Sequence, residues 1–561
     1  MRIPARLHRL IGRRALMSAV VAAGVLGATA CFDLQVNNPN TLNNENVFNN
    51  AANSEAAVIG GWRRWWGHQA GNNTNNGGSN CPTIPFSLWG NELTSTTTTY
   101  IDYFTEPRPA INNVDNLNCV TRTAWYDLYT GSASGRDVYQ GIVANNLTYG
   151  AVTATTPEGA DTPRIKLFSR FLVAISQLYV GLEFDKGFIA DTSQVGPITD
   201  VSKLVPAAEV LASAQQQLRD VIKDAKAAPD FTLPATWVNG NALTRDDFVR
   251  VMYSFLVRGD VYAARNPTQR AAVNWGAVLL RLDSAITTTE FFQVADPLPT
   301  AGTSPTRATY INTSFSSANT RPSNRLVGPA DTTGAYQTWL ATPLGQRVGF
   351  TMFTPDKRFW TGTVFTNVAA GQGPGARGGI LFEQQTTIMS GLALGSYLGS
   401  RMRSIRYLTA TADTGSRARV PIIAPEEMRF IRAEALYRLG RGAEAAALIN
   451  ISRTAPVVQP NGTSVANLPP VTASGTSGGS CVPRKNDGTC GDLFDALQYE
   501  KRIVLFPYPP VHAWFDQRGW GKLVQGTPFE MPVSGREMVT LGGQIYTFGG
   551  NAGNAAGPGN P

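Results

Sequence analysis

The chain has 561 residues, of which 43% are hydrophobic, 9% aromatic and only 16% charged, against roughly 25% charged in an average soluble domain. This is the composition of a globular chain long enough for more than one core, with polarity supplied by Asn, Thr, Ser and Gln beside 55 Gly and 35 Pro, a mixture that favours long uncharged loops on a scaffold. The formal charge of +8 falls to +3 once the five arginines ahead of Cys31 are set aside, and the remaining charges are interspersed, so no basic stripe supports a nucleic-acid partner.

The first element is a leader. Arg2, Arg6, Arg9, Arg13 and Arg14 make a basic segment, residues 15–27 are apolar, and Ala28, Thr29 and Ala30 precede Cys31. Residues 1–30 read as a secretory signal, too short for a typical transmembrane helix, and no later stretch is expected to span a bilayer. Ala28-Thr29-Ala30 fits ordinary signal-peptidase cleavage. The Cys directly after small residues also fits a bacterial lipobox, in which the thiol is diacylated. Lipidation of Cys31 is the preferred expectation, because several acyl chains on one residue anchor a soluble domain stably. The alternative is a secreted protein with a free N-terminal thiol.

The other cysteines are Cys81, Cys119, Cys481 and Cys490, an even set for an oxidising compartment. Pairing Cys81 with Cys119 and Cys481 with Cys490 closes the shortest loops, although four cysteines allow three pairings. A zinc site built from all four lacks close C-x-x-C spacing.

Residues 31–52 form an Asn-rich tether. A helix is expected over 54–66, with Val58, Trp62 and Trp65 on one face, followed by a loop over 67–85. Thr162-Pro163 opens a helix carrying Ile165, Phe168, Leu172, Ile175, Tyr179 and Leu182. Pro206 opens the next, with Leu211, Ala214, Leu218, Val221 and Ala225. Thr244 caps a third, whose stripe is Phe248, Val251, Phe255, Gly259 and Tyr262. A fourth is expected near 271–286, after an Asn-Pro turn. Residues 287–420 break the pattern. Helices resume in "PEEMRFIRAEALYRLGRGAEAAALINISR" (425–453), with Met428, Ile431, Ala435 and Leu439 facing one way, a turn at Gly440, and Ala443, Ala446, Ala447 and Leu448 on the partner helix. This pair resembles a tetratricopeptide repeat. A last helix is expected over 492–506. The fold class is therefore mainly α: tetratricopeptide-like helix hairpins with loop-rich insertions near 67–120, 287–420 and 455–490, all within 53–561.

"YEKRIVLFPYPPVHAWFDQRGWGKLV" (499–524) resembles the C-terminal signature of the SusD/RagB family of outer-membrane nutrient-binding lipoproteins, a charged helix followed by an aromatic turn. The matching residues are Glu500, Lys501, Arg502, Leu505, Phe506, Trp514, Phe515, Asp516, Arg518, Trp520 and Gly521. The start at Cys31, "FDLQVNNPN", and the order of the later helices resemble the same family. Pro507-Tyr508-Pro509-Pro510 stands where the family usually has Glu-Gly, and Lys501 replaces a common Arg. Glu500, Arg502, Trp514, Phe515, Asp516, Arg518 and Trp520 are read as structural, since paired charges of this kind more often lock a helix to its neighbour than perform chemistry.

Chemistry finds little support. Only His68, placed in a loop, and His512 follow the leader, which excludes a multi-His metal centre and leaves no cofactor implied. No G-x-S-x-G elbow is present, and "GQGPGARGG" (371–379) lacks the ending of a phosphate loop. A glycosidase needs two carboxylates, and Glu92, Asp102, Glu106, Asp331, Asp356 and Glu383 lie in the loop-rich parts; six acids over such lengths are an ordinary surface supply. Binding is the better reading, because aromatic faces stack on sugars or clamp a peptide while Asn, Gln and Arg add directional bonds. The family's ligand surface, carried over, makes Trp89, Asn91, Tyr100, Tyr336, Trp339, Arg358 and Trp360 candidates; the bland alternative for each is burial in a core. The resemblance implies a lipid-anchored, surface-exposed protein of the outer membrane. It implies a glycan or peptide ligand and, as partner, a SusC-like TonB-dependent transporter. A repeat scaffold binding a protein, and a surface glycosidase, are the other readings.

Overall fold

The computed structural model describes residues 51–70, 83–95, 106–113, 122–144, 162–194, 198–295, 320–362, 379–389, 399–406, 418–476, 480–508 and 512–549. The leader, Cys31, Tyr100, Asp102, Cys81 and Cys119 lie outside them. The tether is expected to run to residue 52, but Ala51 already begins the first helix, α1 (Ala51–Ala70).

Helix α1 buries Val58, Trp62 and Trp65 as their spacing predicts, and Trp66 and Ala70 as well. Trp65 meets Tyr179 and Phe255 edge-on at 5.6 and 5.8 Å, an arrangement favoured by the ring quadrupoles. The short α2 (Thr83–Trp89) lies partly in the stretch read as loop. Helix α3 (Arg122–Ala144) has no counterpart in the sequence reading. Gly131, Gly135 and several Ser and Thr give it low intrinsic propensity, and packing against α4 (Thr162–Glu183) stabilises it instead.

Helix α4 is buried almost all round rather than on one stripe. By length and composition it is apolar enough to cross a bilayer, against the expectation that no segment after the leader is; 89% of its most apolar window is buried inside the protein, which marks it as a core helix. Helices α5 (Ala207–Ala227) and α6 (Arg245–Tyr262) bury every residue of their predicted stripes. The Thr244 side chain accepts from the Asp247 amide, the expected cap. The expected fourth helix is two short ones, α7 (Pro267–Ala271) and α8 (Trp275–Leu282), each with an asparagine cap, Asn266 and Asn274.

The 287–420 stretch is not loop throughout. Strand β2 (Phe291–Ala295) pairs antiparallel with β7 (Ala418–Ile423), which leads into the repeat pair. Strand β3 (Thr320–Pro322) pairs with β1 (Leu93–Ser95) in the register Leu93 to Pro322. Between them, β4 (Phe359–Trp360), β5 (Phe382–Met389) and β6 (Ser400–Ser404) form a sheet in the order β6-β5-β4. Short helices α9 (Asn324–Val327) and α10 (Ala335–Ala341) follow β3.

The repeat pair is α11 (Pro425–Arg438) and α12 (Gly442–Arg453), joined through Gly440 at φ +76°, a left-handed backbone that glycine adopts without a Cβ penalty. Met428, Ile431, Ala435 and Ala446 of the predicted faces are buried, but Leu439, Ala443 and Ala447 are exposed, and the buried surface is wider than predicted: Phe430, Ala433, Leu436, Ala445, Ala446 and Ile449 pack with Leu493 and Leu497. Helix α13 (Leu493–Leu505) begins in a capping box between Asp492 and Asp495. The segment read as an aromatic turn is a helix, α14 (His512–Trp520), and every one of its residues is buried.

Candidate functional site

The sequence signature assembles a buried ionic network. The Glu500 carboxylate accepts from Arg358 Nη1 at 2.6 Å and from Arg453, while Asp356 accepts from Arg358 and from the Tyr499 hydroxyl, each at 2.6 Å. Lys501 Nζ lies 2.7 Å from Asp516, which also takes a bond from Arg270. Arg270 pairs with Glu434, and Arg258 with Glu427, all four fully buried. The network ties α6, α7, α11, α13 and α14 together. Two signature residues differ from the expected pairing. Arg518 donates to the carbonyls of Phe529, Leu182 and Tyr262, and Arg502 to those of Arg325 and Asn91. Burial, with Arg265 nearby, holds the Arg518 guanidinium well below its usual range.

Both histidines belong to this interior. His68 lies on α1 rather than in a loop, with Nε2 2.7 Å from Glu183. His512 lies 3.4 Å from Glu427, yet burial, reinforced by Arg258 and Lys501, pushes it down to about 3. It is therefore neutral at neutral pH. Among the described residues no group of three or more His, Cys, Asp or Glu could hold a metal. Of the acids weighed as glycosidase candidates, four of the described ones are engaged structurally, Asp356 with Arg358 and Tyr499 as above. Glu106 is bonded by Arg325 and Arg347, Glu383 by Arg403, and Asp331 accepts from Thr333 and from the Gly334, Tyr336 and Phe353 amides.

Five of the ligand candidates, Trp89, Asn91, Tyr336, Trp339 and Arg358, are buried, and for Trp89 and Arg358 the packing partners assign the side chain to the core. Trp89 is 2% exposed and packs 5.9 Å from both Phe86 and Trp514, while Phe86 stacks on Trp514 at 4.5 Å. Gly90, the next residue in the chain, permits this approach, because a Cβ there would stand 2.6 Å from the Trp514 amide. Such a ring has no face to offer a ligand. Arg358 is likewise committed to Asp356 and Glu500. Trp360 is half-buried against Ile380, Ile405 and Val457. Asn91, Tyr336 and Trp339 come together. The β1–β3 pairing joins the N-terminal loop region to the insertion, Tyr336 stacks on Trp339 at 6.1 Å, and Asn91 and Trp339 line one small chamber.

Beside that chamber lies a cleft of about 660 Å³. Tyr336 and Arg502 line it from the predicted set. The rest of its wall comes from the 483–487 loop, the outer face of α13 including Gln498, and Lys522. Lys485 sits 3.5 Å from Asp492 and 3.4 Å from Asp495, and those carboxylates, Asp495 foremost, raise its pKa. Burial and the neighbouring Asp492 push Asp495 up. The cleft thus offers charged and amide groups beside two buried tyrosines, Tyr336 and Tyr499, chemistry suited to a hydroxyl-rich ligand. Sequence reasoning missed the 483–487 wall. The signal was present: Cys481 and Cys490, joined with Cα atoms 4.9 Å apart, bracket it. Replacing both by Ser should lower stability by about 2–3 kcal/mol, the loop-closure entropy of so short a ring. Urea unfolding of the double variant checks this, and an unchanged midpoint would mean the ring constrains nothing.

A mainly helical scaffold with hairpin repeats and a two-part insertion defines the fold class. The chain has the SusD-like fold. It is similar to a SusD homolog from Bacteroides thetaiotaomicron with a TM-score of 0.52 at 13% identity, over 90% of this chain and 98% of that one. It is similar to a SusD-like carbohydrate binding protein from Bacteroides fragilis with a TM-score of 0.51 at 14% identity, over 85% and 87% of the two chains. No family sequence model and no curated protein sequence matches the chain.

Proposed function

We propose that this protein is a member of the SusD/RagB family that binds a nutrient, an oligosaccharide or a peptide, in the cleft between the 483–487 loop and α13. From there it passes the ligand to a SusC-like TonB-dependent transporter. The observation that carries the reading is the SusD-like fold over 90% of the chain, shared with a carbohydrate-binding neighbour. Fold alone does not carry ligand identity, so the ligand class rests on the cleft, where tyrosine, amide and guanidinium groups converge. Acylation of Cys31 would hold the domain at the outer membrane surface. The engaged state of the described acids favours binding over glycoside hydrolysis, which needs a free acid and a free base.

A thermal-shift screen against glycans and peptides tests the reading, since a ligand of the native state raises the melting temperature by mass action. With the best hit in hand, Gln498→Ala and Arg484→Ala should each weaken binding about 10-fold, the order of a lost hot-spot contact, and leave the melting temperature of the free protein unchanged. Normal binding by both variants would place the ligand elsewhere. A protein extracted from membranes should have the mass of a chain beginning at Cys31 plus lipid; a soluble, unmodified N-terminus would remove the anchor from the proposal.

A further inference from the structure

The small chamber next to the cleft, about 30 Å³ in volume, is lined by three guanidinium groups, Arg108, Arg325 and Arg347, and among the described residues by one carboxylate, Glu106. Arg325 and Arg347 both bond Glu106, at 2.7 and 3.0 Å. Among the described residues Arg108 has no carboxylate partner. Its Nη2 reaches only the Leu88 carbonyl and Asn91 Oδ1, at 3.3 and 3.2 Å. Arg347 and Arg325 flank the Trp339 ring, 4.7 and 5.7 Å from its centroid. Arg108, Arg325, Arg347, Asn91 and Trp339 are each at least nine-tenths buried, and Glu106 is half-buried.

The residues lining this chamber carry five buried side-chain atoms with no hydrogen-bond partner among the described residues: Asn91 Nδ2, Arg108 Nε and Nη1, Arg325 Nη1 and Trp339 Nε1. Every one is an N–H donor, and no lining side chain leaves an acceptor unpaired. The Asn91 amide is oriented by its bond from Arg108, which fixes Nδ2 as the atom left over. Orphaned buried donors cost about 1–3 kcal/mol each, so five around one void call for an occupant that only accepts. Water brings two donors of its own, which would then lack partners. An anion brings none and also offsets the surplus positive charge.

We propose that this chamber is a site for a small inorganic anion of chloride size, held by Arg108, Arg325, Asn91 and Trp339. A void of about 30 Å³ holds one or two water-sized spheres, too little for a sulfate or a sugar ring. The charge state of the surroundings agrees with the geometry. Burial lowers the Arg108 guanidinium to about 9, with Arg325 adding to the effect against Glu106, as expected of a cation without its counter-ion. Burial alone would raise Glu106, but Arg325 and Arg347 reverse this and hold it low, so Glu106 stays ionised and engaged with those two. The site joins the 106–108 segment, the turn after α2 and the start of the insertion. Its anion would brace the β1–β3 junction, whatever ligand the cleft takes.

The test uses the mature wild-type protein with chloride titrated against gluconate at constant ionic strength. The melting temperature should rise by about 1–3 °C with chloride, and bromide should reproduce the rise. A bromide-soaked crystal should show an anomalous peak in the chamber, within hydrogen-bonding range of Arg108 and Trp339. Arg108→Met should abolish the chloride response. If that variant does not fold, Trp339→Phe keeps the ring and removes one donor, and should weaken halide affinity several-fold. Equal melting in chloride and gluconate with no bromide peak at the chamber overturns the proposal. So does a chloride response that survives both substitutions, or a shift produced equally by sulfate.

Discussion

Arg358→Met is expected to destabilise the protein by about 3–5 kcal/mol, the usual cost of stripping one partner from a buried ion pair. The guanidinium stands between two fully buried carboxylates, Asp356 and Glu500, with bonds of 2.6 Å to each. Burial opposes its charge, but the two acids overcome this and hold it well above the usual arginine range. Methionine keeps much of the volume, strips Asp356 of its arginine and leaves Glu500 with Arg453, at 3.4 Å. Equilibrium urea unfolding measures the loss. The same variant separates the two readings of Arg358. A large fall in midpoint marks it as structural, whereas an unchanged midpoint with lost ligand binding would return it to the binding surface.

Acidification from pH 6.5 to 4.5 is expected to remove roughly 3 kcal/mol of stability through His512, at about 1.4 kcal/mol per pH unit for one proton. His512 is held at about 3 in the folded protein by burial first, with Arg258 and Lys501 adding to it against Glu427, and it returns to 6.5 when the chain unfolds. Its contribution is complete above 6.5. As pH falls from there toward 3, the unfolded chain takes up a proton that the folded one refuses, so stability declines. Glu427, held at about 2 by Arg258 despite its burial, adds its loss only below 4.5. Asp185 acts in the opposite sense. Burial raises it to about 6, so its contribution is fully present below its unfolded value of 3.8 and is lost as pH rises through 6. A His512→Gln variant isolates the histidine, and its stability should be flatter than wild type by about 3 kcal/mol over the 6.5–4.5 window. Parallel curves would show that His512 titrates normally in the fold.

The helices that were legible share one property: their apolar residues repeat every 3.6 positions and their ends carry capping chemistry. The stripes of α5 and α6 and the Thr244 cap could be read residue by residue for that reason. Helix α3 was not legible, because its Gly and Ser content argues against a helix and only contact with α1 and α4 makes it one. The signature at 499–524 was legible as a charge-and-aromatic pattern, but not as a helix, since α14 is buried on every side and shows no polar face to set a period.

The site divides along the same line. Residue type and order reveal the kind of surface this chain builds: a helical scaffold, two loop-rich regions that meet, and aromatic and amide groups within them. Residue type does not reveal which aromatic meets solvent, because burial and binding draw on the same apolar face. Trp89 goes to the Phe86–Trp514 stack, and Trp339 to a chamber of arginines. The ionic partners are equally silent in the sequence. Arg270 and Asp516 are 246 positions apart, and Arg358 and Glu500 are 142 apart. A charge becomes structural or functional only when folding removes the water around it and chooses its neighbour, and that choice is made by contacts between distant segments, not by the residues beside it in the chain.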